Sequence, residues 1–214
     1  MVYVFTAHSE AYSLSEIIRG YKEYLPEWYI AKAKRYAFEE DACRFLLGKI
    51  LLLKGLRKLG YFSIGLHDIR FNEFSKPQFD NNLSFNISHS GKYVVCAVSQ
   101  TYKVGIDVEE VRSVDVESFS SCFSSSEWLY LKKANDPLLV FYQLWTRKEA
   151  VIKADGRGLQ IPLSDFEVID HRVSINSCNW FIYELSVSEG YVAHIATNRI
   201  CDNQFIQLSQ LDSL

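Results

Sequence analysis

The sequence predicts an α+β (mixed α/β) protein: a pseudo-dimer of two similar subdomains, 1–102 and 103–214. Each is expected to be a small, mostly antiparallel sheet packed with a long helix, with a site in the cleft between them. Three observations carry this. Two proline-free stretches with helical spacing, 38–59 and 141–154, fall one in each half. The string Tyr93-Val94-Val95-Cys96-Ala97-Val98-Ser99 returns as Tyr191-Val192-Ala193-His194-Ile195-Ala196-Thr197, and Asp41-Ala42 precedes Gly48 as Glu149-Ala150 precedes Gly156. The charge also changes sign near the midpoint: 13 Lys+Arg against 10 Asp+Glu through Tyr102, then 10 against 16 from Lys103.

The elements follow in order. Residues 1–6 read as a strand. Ser13 and Glu16 have the spacing of a capping box, so a helix starts there. The helix over 38–59 carries Ala42, Phe45, Leu46, Leu52, Leu53 and Leu56 on one side, and Gly60 stops it. Residues 69–71 form a short strand, and Lys76 must be extended or turned before Pro77. Residues 85–89 and 93–98 flank Ser90-Gly91 as a hairpin. Residues 104–109 form another strand, 127–133 a helix behind a serine-rich cap, and 141–154 the second long helix. The tail reads as strands.

Composition narrows the class. With 48% hydrophobic and 23% charged residues, the chain is ordinary globular material. No apolar run approaches the ~18–20 residues of a spanning helix. The N-terminus lacks the basic flank of a signal peptide. Five scattered cysteines form no C-x-x-C pair, which suits free thiols in a reducing, cytoplasmic setting. A pI near 6.0 without a basic stripe argues against nucleic acid. A positive half and a negative half suit a polyanion on one side and a cation on the other, although solvated faces would give the same counts.

Three local patterns carry chemistry. Asp107 and Glu109 are two apart in a strand, so they share one face while Ile106 and Val108 turn inward. Alone, this is the polar face of a half-solvated strand. Trp145, Glu149 and Lys153 are four apart and share a helical face, which alone is an ordinary ion pair. Together Asp107, Glu109 and Glu149 offer three hard oxygen ligands without a Cys/His cluster. The fitting metal is magnesium, which usually bridges to substrate phosphates. Ser88-His89-Ser90 at a hairpin end offers phosphate donors, or simply turn chemistry. Gly-rich phosphate loops and the G-x-S-x-G elbow are absent.

Taken together and in order, these motifs resemble a known family. Val104-Gly105-Ile106-Asp107-Val108-Glu109, followed by Trp145-x-x-Lys148-Glu149-Ala150-x-x-Lys153, is similar to the signature pair of the 4'-phosphopantetheinyl transferases. Lys76-Pro77 and Phe85-Asn86-Ile87-Ser88-His89-Ser90 resemble the upstream motifs of the long, surfactin-synthetase-type branch. The likeness runs roughly from 32 to 163. It implies a pseudo-dimer that moves the phosphopantetheine arm of coenzyme A to a serine of an acyl or peptidyl carrier protein, releasing adenosine 3',5'-bisphosphate. By resemblance, Asp107, Glu109 and Glu149 hold Mg2+, with Mn2+ as substitute. Ser88 and His89 hold coenzyme A phosphates, Arg44 lies near the adenosine end, and Lys76 and Lys32 join it. Where relatives carry a further lysine ahead of Lys32, this chain has Glu27-Trp28-Tyr29-Ile30, so its 3'-phosphate contacts are fewer or differently placed.

The chemistry of the residues is consistent with that. A serine attacking phosphorus must lose its proton. Glu149 is the first candidate base, directly or through a metal-bound water, and Glu127 the second. Lys153 could steady the leaving group as a point charge. The carrier is expected to dock after Lys153, over 158–166, although the apolar residues 158–163 would equally suit a strand entering the core. A fused pair of halves suits a monomer, with no membrane or nucleic-acid partner. The rivals are another magnesium-dependent phosphodiester or nucleotidyl enzyme and a non-catalytic coenzyme A or carrier-binding module.

Overall fold

The computed structural model describes residues 1–80, 82–202, 204 and 206–211, the Leu159 side chain excepted. The first sheet is built from β1 (Val2–His8), β4 (Ser84–Ser90), β5 (Tyr93–Ser99) and β10 (Ile206–Gln210), in the order β10-β1-β5-β4. The second has the order β6-β9-β8-β7, from β6 (Val104–Glu110), β7 (Arg172–Ile175), β8 (Cys178–Glu184) and β9 (Tyr191–Thr197). A two-residue ladder joins β2 (Arg70–Phe71) to β3 (Pro77–Gln78). All pairings are antiparallel except β10 on β1.

The helices are α1 (Leu14–Tyr21), α2 (Glu27–Ala33), α3 (Glu39–Lys58), α4 (Ser125–Lys132) and α5 (Pro137–Asp155). Helix α3 packs on β5 and β1, and α5 on β6 and β9. The predicted mixed α+β class is the one observed. β1-β5-β4 with α3 repeats the order of β6-β9-β8 with α5, so the matching strings at 93–99 and 191–197 occupy equivalent central strands. The glycine echo does not extend to structure. Gly48 lies inside α3, where a Cβ would press on Ile87; Gly156 is the left-handed cap of α5, with φ at 91°.

Side-chain alternation explains the unbroken apolar runs of the central strands. In β5, Val94, Cys96 and Val98 join the core under α3, while Val95 and Ala97 face the other sheet. There they meet Val104, Ile106 and Val108 of β6, and Ala193 and Ile195 of β9. Strands covered on both faces lose the polar alternation of a half-exposed sheet. The same parity turns Gly105, Asp107 and Glu109 toward α5. A side chain at Gly105 would collide with the α5 backbone at Ala150 and Ala154, so glycine lets the helix sit close.

Helix boundaries follow the capping chemistry. Ser13 caps α1 in a full capping box with Glu16, and Ser124 caps α4 with Glu127. Acidic residues open α3 and basic ones close it, as the helix dipole favours. Helix α5 begins four residues before the predicted 141, because Asp136 caps it and Pro137 fits its first turn. The last strand, β10, leaves the second half of the sequence and joins the first sheet. Leu211 is buried in that core and donates its N–H to Thr6 O at 2.8 Å. The five cysteines are free, and no helix among the described residues is long and apolar enough to cross a membrane.

Opposite Asp107 in the β6–β9 ladder stands His194, fully buried. Arg147 Nε donates to its Nε2 at 3.3 Å, which leaves Nδ1–H to face Thr146 Oγ1 at 2.7 Å. Burial first, then the charges of Arg147 and His171, push His194 from 6.5 to about 3. The unfolded chain therefore binds this proton at a higher pH than the folded one. Acidification from pH 6.5 toward 3 is expected to cost about 1.4 kcal/mol of stability per pH unit through this group. Denaturant midpoints across that range should fall more steeply for the wild type than for His194→Asn; equal slopes would contradict it.

Candidate functional site at the seam of the two sheets

Strands β4 and β6 run side by side, edge to edge, where the two sheets meet. Beside this seam Ile87, Ser88, His89, Asp107, Glu109, Trp145, Glu149 and Lys153 line a cavity of about 340 Å³. Asp107 and Glu109 come from β6, Glu149 and Lys153 from α5, and Ser88 and His89 from β4.

Asp107 is buried. Its Oδ1 accepts from Ser88 Oγ at 2.8 Å and from Lys153 Nζ at 2.5 Å, and Lys153 Nζ also donates to Ser88 Oγ at 3.0 Å. Its Oδ2 is buried and has no hydrogen-bond partner among the described residues. Glu109 Oε2 accepts from Ser90 Oγ at 2.7 Å. Burial holds Glu109 above the usual carboxylate range; the charges of Asp107 and Glu149 add to this, and the Ser90 hydrogen bond and Lys153 oppose it. Burial does the same to Glu149, with Lys153 opposing and Asp107 adding. Carboxylates crowded this way destabilise one another unless positive charge intervenes.

His89 is shared with a neighbouring cavity of about 340 Å³, lined also by Asp41, Arg44, Gly91, Lys92 and Arg112. Partial desolvation, then Arg44 and Lys153, hold His89 below its usual value. The Arg44 guanidinium donates to Gly91 O at 2.7 Å and to Asp41 Oδ1 at 2.6 Å.

These cavities sit on a chain whose two halves each match a family description. Residues 103–198 match the model of the 4'-phosphopantetheinyl transferase superfamily, and 19–101 that of the 4'-phosphopantetheinyl transferase N-terminal region. The 4'-phosphopantetheinyl transferase ffp of Bacillus subtilis is 33% identical over 181 residues, covering 78% of this chain and 80% of that protein. The chain belongs to the 4'-phosphopantetheinyl transferase family. The gsp protein of Aneurinibacillus migulanus is 41% identical over 136 residues, and Sfp of Bacillus subtilis (strain 168) 36% over 147; they cover 62% and 66% of this chain. These matches span only 56% and 64% of those two relatives. Among solved structures, the holo-[acyl-carrier-protein] synthase (AcpS) of Thermotoga maritima is 19% identical with a TM-score of 0.36, over 45% of this chain and 63% of that one.

In this transferase-family chain, six of the expected site residues share one cavity: Ser88, His89, Asp107, Glu109, Glu149 and Lys153. Arg44 is next to it through His89. Lys76 donates from Nζ to Ala154 O at 3.0 Å, and burial, helped by the charge of Lys103, lowers it to about 8. It lines a smaller cavity with Glu149 and Lys153. Lys32 lines neither cavity; its ammonium lies 4.9 Å from the centre of the Phe45 ring.

Glu127 corrects the sequence reading. It is fully buried and paired with Lys148 Nζ at 2.8 Å. Its carboxylate accepts from the N–H groups of Ser124 and Val168, so it does not face the cavity. The buried Lys148 ammonium and the Val168 N–H hold it inside, whereas Glu16, in the same capping box at α1, stays exposed. Of the two readings of the apolar stretch 158–166, docking surface or strand entering the core, the structure buries Ile161, Leu163 and Phe166 in the second core, on short 3-10 turns rather than a strand, while the Leu159 side chain lies outside the described residues.

Among the described residues, no group of three or more His, Cys, Asp or Glu stands arranged to hold a metal ion. The donor set nevertheless fits a hard divalent cation. Three carboxylates, Asp107, Glu109 and Glu149, line the cavity; Asp107 Oδ2 is buried with no hydrogen-bond partner among the described residues, and burial holds Glu109 and Glu149 above the usual carboxylate range, with the charge of Asp107 adding to both. Sequence reading took Ser90 as a phosphate donor or turn residue and missed that it holds Glu109; the signal for that was a polar residue at every second position of β4.

Proposed function

We propose that this chain transfers the 4'-phosphopantetheine arm of coenzyme A to a serine of an acyl or peptidyl carrier protein, with Mg2+ and release of adenosine 3',5'-bisphosphate. The observation that carries the reading is the single cavity joining Asp107, Glu109 and Glu149 to Ser88, His89 and Lys153. Family membership supports the same reading.

In this reading Asp107, Glu109 and Glu149 would hold Mg2+, or Mn2+ in its place. When bound, the ion would neutralise charge on the pyrophosphate. Ser88, His89 and Lys153 bind phosphate oxygens. Arg44 and Lys76 lie toward the adenosine end. The carrier's serine oxygen attacks the phosphorus bearing pantetheine, and Glu149 accepts its proton. The bond to the bridging oxygen breaks, and Lys153 stabilises the departing bisphosphate. Positioning and electrostatics supply most of the rate in such transfers. The division at 102/103 belongs to the same reading, with phosphates held mainly by the first half and carboxylates supplied by the second. A cytoplasmic setting fits the five free cysteines, and a fused pair of halves suits a monomer.

The test is intact-mass analysis of an apo carrier protein incubated with this chain, coenzyme A and Mg2+. A gain of one phosphopantetheine is the expected result. An unchanged mass across fatty-acid, polyketide and peptide carriers would overturn the reading.

A further inference from the structure

The two sheets are joined along β4 and β6 by side chains of β4. Ser84 Oγ accepts from Val104 N–H at 3.0 Å, Asn86 Oδ1 from Ile106 N–H at 2.9 Å, and Ser90 Oγ from Glu110 N–H at 3.1 Å. The rungs recur every second residue on both strands, because alternate side chains of a strand point the same way. Ser88 departs from this pattern. Its hydroxyl donates to Asp107 Oδ1 and accepts from Lys153.

Ser90 combines the two roles. It accepts the last rung, from Glu110 N–H, and gives its hydroxyl proton to Glu109 Oε2. A hydroxyl has one proton to donate and lone pairs to accept with, so both bonds coexist. The rung fixes where the oxygen sits and the donated proton fixes the carboxylate. The turn that follows is tucked against the second sheet: Gly91 has φ at 52°, a side chain there would collide with Glu110 and Tyr191, and Lys92 N–H donates to Tyr191 Oη at 3.1 Å.

We propose that Ser90 is a positioning residue, whose hydroxyl ties the orientation of the Glu109 carboxylate to closure of the seam between the sheets. This rests on the reading of Asp107, Glu109 and Glu149 as ligands of a divalent ion. Partners that orient metal ligands typically change metal affinity ~10–100-fold when removed.

The experiment is titration of the whole chain with Mn2+ alone, followed by calorimetry or by the Mn2+ electron paramagnetic signal. Ser90→Ala should weaken Mn2+ binding about tenfold or more. Ser90→Thr, which keeps the hydroxyl, should restore most of it. Ser84→Ala removes a rung at the far end of the seam and touches no carboxylate; it should lower the denaturation midpoint yet leave Mn2+ affinity unchanged. Should Ser90→Ala fail to fold, Ser90→Cys carries the same expectation, since a thiol keeps the shape but donates weakly. Equal Mn2+ affinity in wild type and Ser90→Ala (or Ser90→Cys), or equal losses in Ser84→Ala and Ser90→Ala, would overturn the proposal. Asp107→Asn separates the two ideas: undiminished Mn2+ binding there removes the metal reading itself, whereas loss there with no effect at Ser90 removes only the role of Ser90.

Discussion

Glu127→Ala is expected to lower the stability of the fold by about 3–5 kcal/mol, the usual cost of stripping one partner from a buried ion pair. Glu127 and Lys148 are both wholly out of solvent. The Lys148 ammonium also donates to Leu163 O at 2.7 Å and to Phe166 O at 2.5 Å, with the Phe166 ring centre 4.5 Å away. Those neutral acceptors cannot replace a carboxylate. Part of the loss, about 1 kcal/mol, is the α4 cap that Glu127 completes. Burial already lowers the Lys148 pKa, and the Glu127 carboxylate opposes that. Without Glu127, folded Lys148 should give up its proton while the unfolded chain keeps it. The variant should therefore gain stability on the wild type as pH rises toward 10. Urea midpoints at pH 7 and pH 9.5 test this, and a loss under about 1 kcal/mol at pH 7 would contradict it. Glu127→Leu with Lys148→Met should recover most of the loss, because an apolar pair of similar volume removes both charges at once.

What the sequence revealed, and what it hid, divides along the same physical line. Asp107 and Glu109 could be placed on one face because strand parity is local, and Glu149 with Lys153 because helical spacing is local. The boundaries of α3 were legible for a similar reason: its acidic start and Gly60 are neighbours of what they terminate. The start of α5 was not, since Pro137 reads as a breaker until its place in the first turn is known. Helix α2, seven residues behind Pro26, is too short to show a period. The pairing of β10 with β1, and the register of β4 beside β6 that gives Ser90 its partners, join residues 204 and 20 positions apart. No local pattern encodes such contacts. Glu127 misled because the first turn of a helix is usually wet, and its partner Lys148 lies 21 positions on. Lys32 was tied to the site by resemblance alone, and it rests on Phe45 instead.

On the proposed function, Asp107→Asn is expected to reduce transfer to a carrier protein by about three orders of magnitude or more, while the fold survives. The expectation follows from what each oxygen of Asp107 does. Oδ1 is satisfied by Ser88 and Lys153, and an asparagine carbonyl can accept both of those bonds. Oδ2 is buried and has no hydrogen-bond partner among the described residues, so none of their hydrogen bonds depends on it. A lone buried carboxylate oxygen costs stability, and keeping it makes physical sense only if a cation or donor meets it during function. Replacing it with an amide removes that charge and places a donor where the cation would sit. Loss of metal-assisted charge stabilisation is worth several kcal/mol in the transition state, which is the thousandfold scale. Melting temperatures should tell the two effects apart. Without divalent ions, wild type and variant should melt within a few degrees of each other. With Mg2+ at about a hundred times its dissociation constant, the wild type should gain about 2.7 kcal/mol and the variant nearly nothing. If Asp107→Asn still gained that increment, or still modified carrier protein at the wild-type rate, Oδ2 would have no cation to meet and its burial would need another cause.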